Sequence, residues 1–266
     1  ITQLNNARRL MLVPGGIIGQ AVGQAILPFL SRDIAEGKEQ QANAATAQAV
    51  ESTALLGTIA AVGLAVLAQP MVELVYLRGA FSPSAAAATA AFLAIVSAAL
   101  PGFCVSGVVS RGFYARSMTL RPMIVSSLVA VASVPMYGWF AAHHQGPGLA
   151  IASAAGASVN AWTLCVALDR RVAAETSPAS FRGVALGLVL SLPAAAATYG
   201  IVRLAREFRP GLPPTVWAML VLTIGGGCFA LMTLVALLKY RREMVAPVLA
   251  RVGRRVPARL RRLLPA

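Results

Sequence analysis

Residues 122–168 read PMIVSSLVAVASVPMYGWFAAHHQGPGLAIASAAGASVNAWTLCVAL, a run without a single Asp, Glu, Lys or Arg. A bilayer core about 30 Å thick takes roughly 20 apolar residues per helix, so this run accommodates two spans. The segment His143-His144-Gln145-Gly146-Pro147-Gly148 supplies the turn between them. Five further charge-free stretches lie at residues 10–31, 52–72, 79–110, 183–202 and 210–238, which predicts seven helices in all. The nine acids (Asp33, Glu36, Glu39, Glu51, Glu73, Asp169, Glu175, Glu207 and Glu243) fall between these stretches or near their ends, as the cost of charge in hydrocarbon demands. A transmembrane barrel would alternate polarity in ten-residue segments, whereas Ala85 to Leu100 is nearly continuously apolar. The expected fold is all-α, a polytopic integral membrane bundle of about seven transmembrane helices.

Composition agrees. Of 266 residues, 58% are hydrophobic and only 12% charged, with a mean hydropathy of +0.72. Soluble domains carry about twice that charge. Disorder, collagen and disulfide scaffolds are excluded too. A net charge of +14 raises the question of a nucleic-acid partner, and the positions of the cations answer it. Arg8, Arg9, Arg78, Arg203, Arg206 and Arg209 lie on the side where the chain starts; the other 17 of 23 lie in the alternate loops and in the tail from Lys239 onward. The positive-inside rule places that second side, including the tail, in the cytoplasm. The tail, from Arg251 through Arg262, mixes arginines with Val and Leu, which suits an anionic leaflet rather than nucleic acid. A chain that starts outside at Ile1 without a signal peptide reads as the C-terminal part of a longer membrane protein.

The first span holds the main candidates. At 100° per residue, Arg9, Gly16, Gln20 and Gln24 share one polar or small face, which lipid penalises and a protein interior or water-filled cavity accepts. Arg8 lies beside Arg9. From the residues alone, Arg9 reads equally as an interfacial snorkel. Gly15, Gly19 and Gly23 recur every fourth residue, the spacing of close helix packing, and Pro14 and Pro28 mark places for bending. A second candidate is the basic cytoplasmic turn Arg111-Gly112-Phe113-Tyr114-Ala115-Arg116 with Arg121-Pro122, where Arg111, Tyr114 and Arg116 suit a phosphate or sugar headgroup or anchor on lipid phosphates.

Other features carry less. Cys104, Cys165 and Cys228 lie within predicted spans and read as packing residues; His143 and His144 lack companions for a metal site. Gly225-Gly226-Gly227 is not followed by Lys-Ser or Lys-Thr, so it is no phosphate loop. The spans hold no mid-membrane Lys, Asp or Glu for intramembrane hydrolysis. No enzyme activity, cofactor or metal is expected.

Four blocks resemble the lipid II flippases (MurJ, also called MviN) of the multidrug/oligosaccharidyl-lipid/polysaccharide exporter superfamily. They are Ala7-Arg8-Arg9-Leu10 with Pro14-Gly15 and Leu27-Pro28-Phe29-Leu30-Ser31-Arg32; Arg78-Gly79-Ala80-Phe81-Ser82; Phe113-Tyr114-Ala115-Arg116 with Arg121-Pro122; and Gly148-Leu149-Ala150-Ile151-Ala152 through Asn160-Ala161 to Leu168-Asp169-Arg170-Arg171. They span residues 1–171, and the remainder matches in hydropathy alone. The resemblance implies helices eight to fourteen of a fourteen-helix flippase in the bacterial inner membrane. It assigns Arg9 to the central cavity, against the diphosphate or peptide carboxylates of lipid II, and departs at Arg8, where the family usually has Asp. The implied division is a partial second lobe (1–171), a C-terminal helix pair that cradles the polyprenyl tail (172–238) and a basic cytoplasmic tail (239–266). Implied partners are lipid II or a similar polyprenyl diphosphate-linked glycan, anionic membrane lipids and cell-wall synthesis proteins. A flippase for another polyprenyl-linked oligosaccharide and a membrane scaffold or pseudo-transporter are the alternatives.

Overall fold

A computed structural model describes residues 2–77, 81–207 and 213–240. They form α1 (Thr2–Ala35), α2 (Glu39–Val66), α3 (Ala68–Tyr76), α4 (Pro83–Val96), α5 (Leu100–Ala115), α6 (Leu120–Val172), α7 (Thr176–Glu207) and α8 (Pro214–Tyr240). Among the described residues, seven helical segments are long and apolar enough to cross a membrane, as the charge-free stretches predict. Arg78, Gly79 and Ala80 of the second motif block, and the tail beyond Tyr240, lie outside the described residues.

Local sequence explains where these helices begin and break. Ser82 caps α4, its hydroxyl accepting from the Ala85 amide at 3.2 Å, and Pro83 follows where its missing N–H costs nothing. The third span is α4 and α5 joined through a 3-10 turn at Ser97–Ala99, with Pro101 in the first turn of α5. The stretch 52–72, expected as one helix, divides: α2 stops at Val66 and α3 restarts at Ala68. Pro70 cannot donate to the Val66 carbonyl, so the ladder breaks there, and α3 takes the proline into its own first turn. Pro14 and Pro28, in contrast, lie within an uninterrupted α1.

Helix α6 extends over 53 residues, about 80 Å if straight. It is not straight. The Tyr137 hydroxyl lies 3.4 Å from where a Cβ would sit on Gly156, although straight helix would hold those residues about 28 Å apart. Near its two ends, Ile124 and Val125 share a cavity wall with Ala167 and Arg170. The helix therefore folds back as two antiparallel arms, Leu120–His143 and Gly146–Val172, with the reversal at the segment expected to turn. The first arm presents Leu128, Val131 and Val134 outward, Val131 being 70% exposed, which is the surface of a lipid-facing helix.

Helix α2 is the central strut. Its Val50 joins Val105, Val108, Phe113, Leu164 and Leu168 in one cluster, its Leu64 joins Met11, Val72, Leu93 and Leu100 in another, and Ile59, Val62 and Val66 pack on Ala194, Ala195 and Phe229. The α2–α7 seam is the tightest. A Cβ on Gly187 would stand 2.7 Å from Thr58 Cβ and 2.9 Å from the Leu55 carbonyl oxygen, so only glycine permits this approach.

The cation-rich turns meet at one end of the bundle. Arg116 donates to the Asn43 side-chain oxygen, Asn43 donates to the Val172 carbonyl, and Arg182 approaches Glu51 at 4.0 Å. At the other end, the Tyr76 hydroxyl donates to the Asn6 carbonyl at 3.3 Å and the Trp217 indole donates to the Ala205 carbonyl at 3.1 Å.

Candidate functional site

The row Ala7, Met11, Gly15, Gly19 and Gly23 is the buried side of α1. Its glycines receive α5: a Cβ on Gly15 would meet Leu100 at 2.8 Å, one on Gly19 would meet the Cys104 Cα at 3.4 Å, and one on Gly23 would meet the Arg111 guanidinium at 2.5 Å. The Cys104 thiol lies 3.7 Å from the Gly15 carbonyl oxygen. The glycine spacing therefore serves as the α1–α5 packing seam, and Gly23 seats a charged group rather than a helix backbone.

Beside this seam lie two cavities. One, of about 400 Å³, is lined by Asn5, Arg8, Arg9, Leu12, Phe103, Ser153 and Ala157 among others. The other, of about 360 Å³, is lined by Gly16, Gln20, Ser106, Ser110, Arg111, Ser126 and Asn160, and again by Phe103 and Ala157. Phe103 and Ala157 thus stand between them. Along α1, Arg9 and Gly23 are 14 residues apart, about 21 Å. The two chambers follow one another down the helix, one arginine-bearing at each end.

Arg8, Arg9, Gln20 and Gln24 are all exposed on α1, and Gly16 has open space where a Cβ would stand. Arg8 and Arg9 share the first chamber, Gln20 lies in the second, and Gln24 is one turn beyond. Pro14 is half-buried and Pro28 exposed. The basic turn separates into three environments. Arg111 enters the second chamber and donates to the Gly107 carbonyl at 2.8 Å. Arg116 is committed to Asn43 and to the Gly112 carbonyl, and burial holds its guanidinium below the usual arginine pKa, with Glu39 opposing. Tyr114 is 46% exposed on the surface.

Among the described residues, ion pairs join Arg32 and Lys38 to Glu36, Arg182 to Glu51, and Arg203 to Glu207, but none involves Arg8, Arg9 or Arg111. Cations within helices long enough to span, without carboxylate partners among the described residues, leave a positive field in the chambers that suits an anionic headgroup. Sequence reasoning missed Ser106, Ser110, Ser153 and Asn160. The signal was present: Ser106 and Ser110 are one turn apart in the third span, and Asn160 is an amide inside the fifth.

Comparison with known proteins agrees with this architecture. The family described as "Lipid II flippase MurJ" matches residues 1–219, so the likeness continues beyond residue 171, through α7 and into α8. A probable lipid II flippase MurJ of Rhizobium tropici is 34% identical over 172 residues, which are 64% of this chain and 32% of that protein. One from Haemophilus influenzae is 34% identical over 170 residues, covering 62% of this chain and 33% of the relative. The lipid II flippase MurJ of Burkholderia cenocepacia is 27% identical over 189 residues, 68% of this chain and 35% of its own. The chain thus spans about a third of the length of these curated relatives. A solved structure, the lipid II flippase MurJ in an inward closed conformation, superposes with a TM-score of 0.69 at 18% identity, over 92% of this chain and 48% of that one. On the match over 219 residues, this multi-pass membrane chain belongs to the MurJ lipid II flippase family.

Proposed function

We propose that the protein is a transporter, not an enzyme, that moves lipid II, a polyprenyl diphosphate-linked peptidoglycan precursor, from the inner to the outer leaflet by alternating access. The observation that carries this reading is the polar face of α1, where Arg9 opens on a chamber without a carboxylate partner among the described residues. A diphosphate supplies the missing charge, and a guanidinium binds it through charge-assisted, directional hydrogen bonds. Gln20 and Gln24 offer amides to the sugar or peptide.

In this reading residues 1–171 form a partial second lobe, 172–238 a helix pair for the polyprenyl tail, and 239–266 a basic tail on the cytoplasmic leaflet. The Gly15, Gly19 and Gly23 seam lets α1 shift on α5, with bending at Pro14 and Pro28. The clustering of Arg116, Arg182 and their neighbours at one end of the bundle supports a cytoplasmic C-terminus under the positive-inside rule. An inner-membrane location, contacts with anionic lipids and coupling to cell-wall synthesis proteins follow from the same reading.

The test is complementation in a flippase-depleted bacterium by the complete protein expressed from its own gene. Arg9→Ala is expected to abolish growth while the protein still reaches the membrane at normal level. Normal growth with Arg9→Ala overturns the role of Arg9, and failure of the unaltered protein to support growth or move lipid II overturns the flippase reading.

A further inference from the structure

An arginine four residues from the end of a span ordinarily runs its side chain toward that end, where water and lipid phosphates receive the charge. Arg111 does the reverse. Its Nη1 donates to the carbonyl of Gly107, one turn back toward the bilayer centre, and its guanidinium lies against Gly23 of α1. No carboxylate among the described residues pairs with it there. One carbonyl leaves most of the five guanidinium N–H groups free for a ligand.

Across the same chamber, Asn160 donates its amide to the Ser106 hydroxyl at 3.3 Å. Ser106 itself donates to the Gly102 carbonyl at 2.8 Å, so it has no proton to return, and Asn160 Oδ1 is left buried with no hydrogen-bond partner. Ser110 is also occupied as a donor, to the Ser106 carbonyl at 2.7 Å. The chamber therefore has cationic donors on one wall and, within another, an unfilled acceptor buried just beneath the surface on Asn160. A plain phosphate satisfies only the first, whereas a phosphate joined to a sugar or peptide, which brings hydroxyl or amide protons, satisfies both.

Resting on the flippase reading, we propose that Arg111, which meets α1 at Gly23 about 21 Å from Arg9, and Asn160 form a second headgroup subsite that captures the glycosyl-phosphate end of the substrate. Arg111 holds phosphate and Asn160 selects the glycan or peptide by accepting its proton. Phe103 and Ala157 separate this station from the Arg9 chamber, so the headgroup passes them in moving from one to the other.

The experiment measures equilibrium binding of two probes to the complete protein in nanodiscs of zwitterionic lipid: undecaprenyl phosphate, and undecaprenyl diphosphate carrying the disaccharide-pentapeptide. Arg111→Gln is expected to weaken both probes about tenfold or more, the loss of charged hydrogen bonds, with partial rescue by Arg111→Lys. Asn160→Leu is expected to weaken only the glycan probe while the melting temperature holds or rises, because a buried unpartnered acceptor is removed. Wild-type affinity in Arg111→Gln, or equal loss of both probes in Asn160→Leu, overturns the subsite. If those variants bind normally while Arg9→Ala loses transport, the subsite alone falls; if the unaltered protein binds neither probe, the flippase reading falls with it.

Discussion

Gly23→Ala is the sharpest perturbation of the site. The added methyl would stand 2.5 Å from Cζ, Nε and Nη1 of Arg111, where ordinary contact needs roughly 3.5–4.0 Å, an overlap of more than about 1 Å. The α1 backbone is fixed by Ala7, Met11, Gly15 and Gly19 against its neighbours, whereas the guanidinium is the far end of a flexible side chain. Arg111 therefore moves and its bond to Gly107 is lost. That loss of a charged hydrogen bond is worth about 1.5–3 kcal/mol, and the helix gains up to about 1 kcal/mol from replacing glycine, so stability falls by about 0.5–3 kcal/mol. Phosphate-probe affinity, however, falls about as far as in Arg111→Gln. In a double-mutant cycle, Gly23→Ala adds nothing once Arg111→Gln is present, because both act through one guanidinium. Gly200→Ala is the control: on α7, in neither chamber's wall, its methyl would meet nothing within 4 Å, and it leaves affinity unchanged. Multiplicative losses in the double mutant, or wild-type affinity in Gly23→Ala, would refute the reasoning.

Three further outcomes follow from the same structure. Gly187→Ala forces a methyl to 2.7 Å from Thr58 Cβ and 2.9 Å from a backbone oxygen that cannot swing away, so thermal unfolding in detergent should show a loss of about 1–3 kcal/mol. Asp169 accepts from the backbone amides and hydroxyls of Thr176 and Ser177 at 2.6–2.7 Å and so holds the start of α7; Asp169→Ala should cost about 1–2 kcal/mol and speed hydrogen exchange at those two amides. In the α1–α2 turn, hydrogen bonds from Arg32 and then Lys38 hold the Glu36 carboxyl below its ordinary value of 4.5. Its contribution to turn order is present above that ordinary value and lost as pH falls through the lower folded one, so the protection factor at Gly37, corrected for the intrinsic pH dependence of exchange, should stay flat near neutrality and fall only in acid.

The number of membrane crossings was legible because a charge in hydrocarbon is costly wherever the helix packs. The gaps between charges therefore report spans without any tertiary information, and the turn at residues 143–148 could be placed by its His, Gly and Pro. The break at Pro70 was less legible, since apolarity continues across it to residue 72 and only the backbone ladder records the interruption. Arg9, Gln20 and Gln24 were legible as one polar face because α1 is a single uninterrupted helix, in which spacing alone sets direction. Arg111 and Arg116 were not separable that way. Both ended one basic turn, yet one guanidinium lies on Gly23 and the other on Asn43.

By itself, then, the sequence determined an all-helical membrane bundle, its crossings and the end that gathers positive charge. Solvation energy decides these, and it is summed residue by residue along the chain. The tertiary structure alone decided that Arg111 shares a chamber with Asn160 and Gln20. Those residues belong to three different helices, and their meeting depends on how closely glycine lets α1 approach α5 and on the fold-back of α6, neither of which any local spacing encodes.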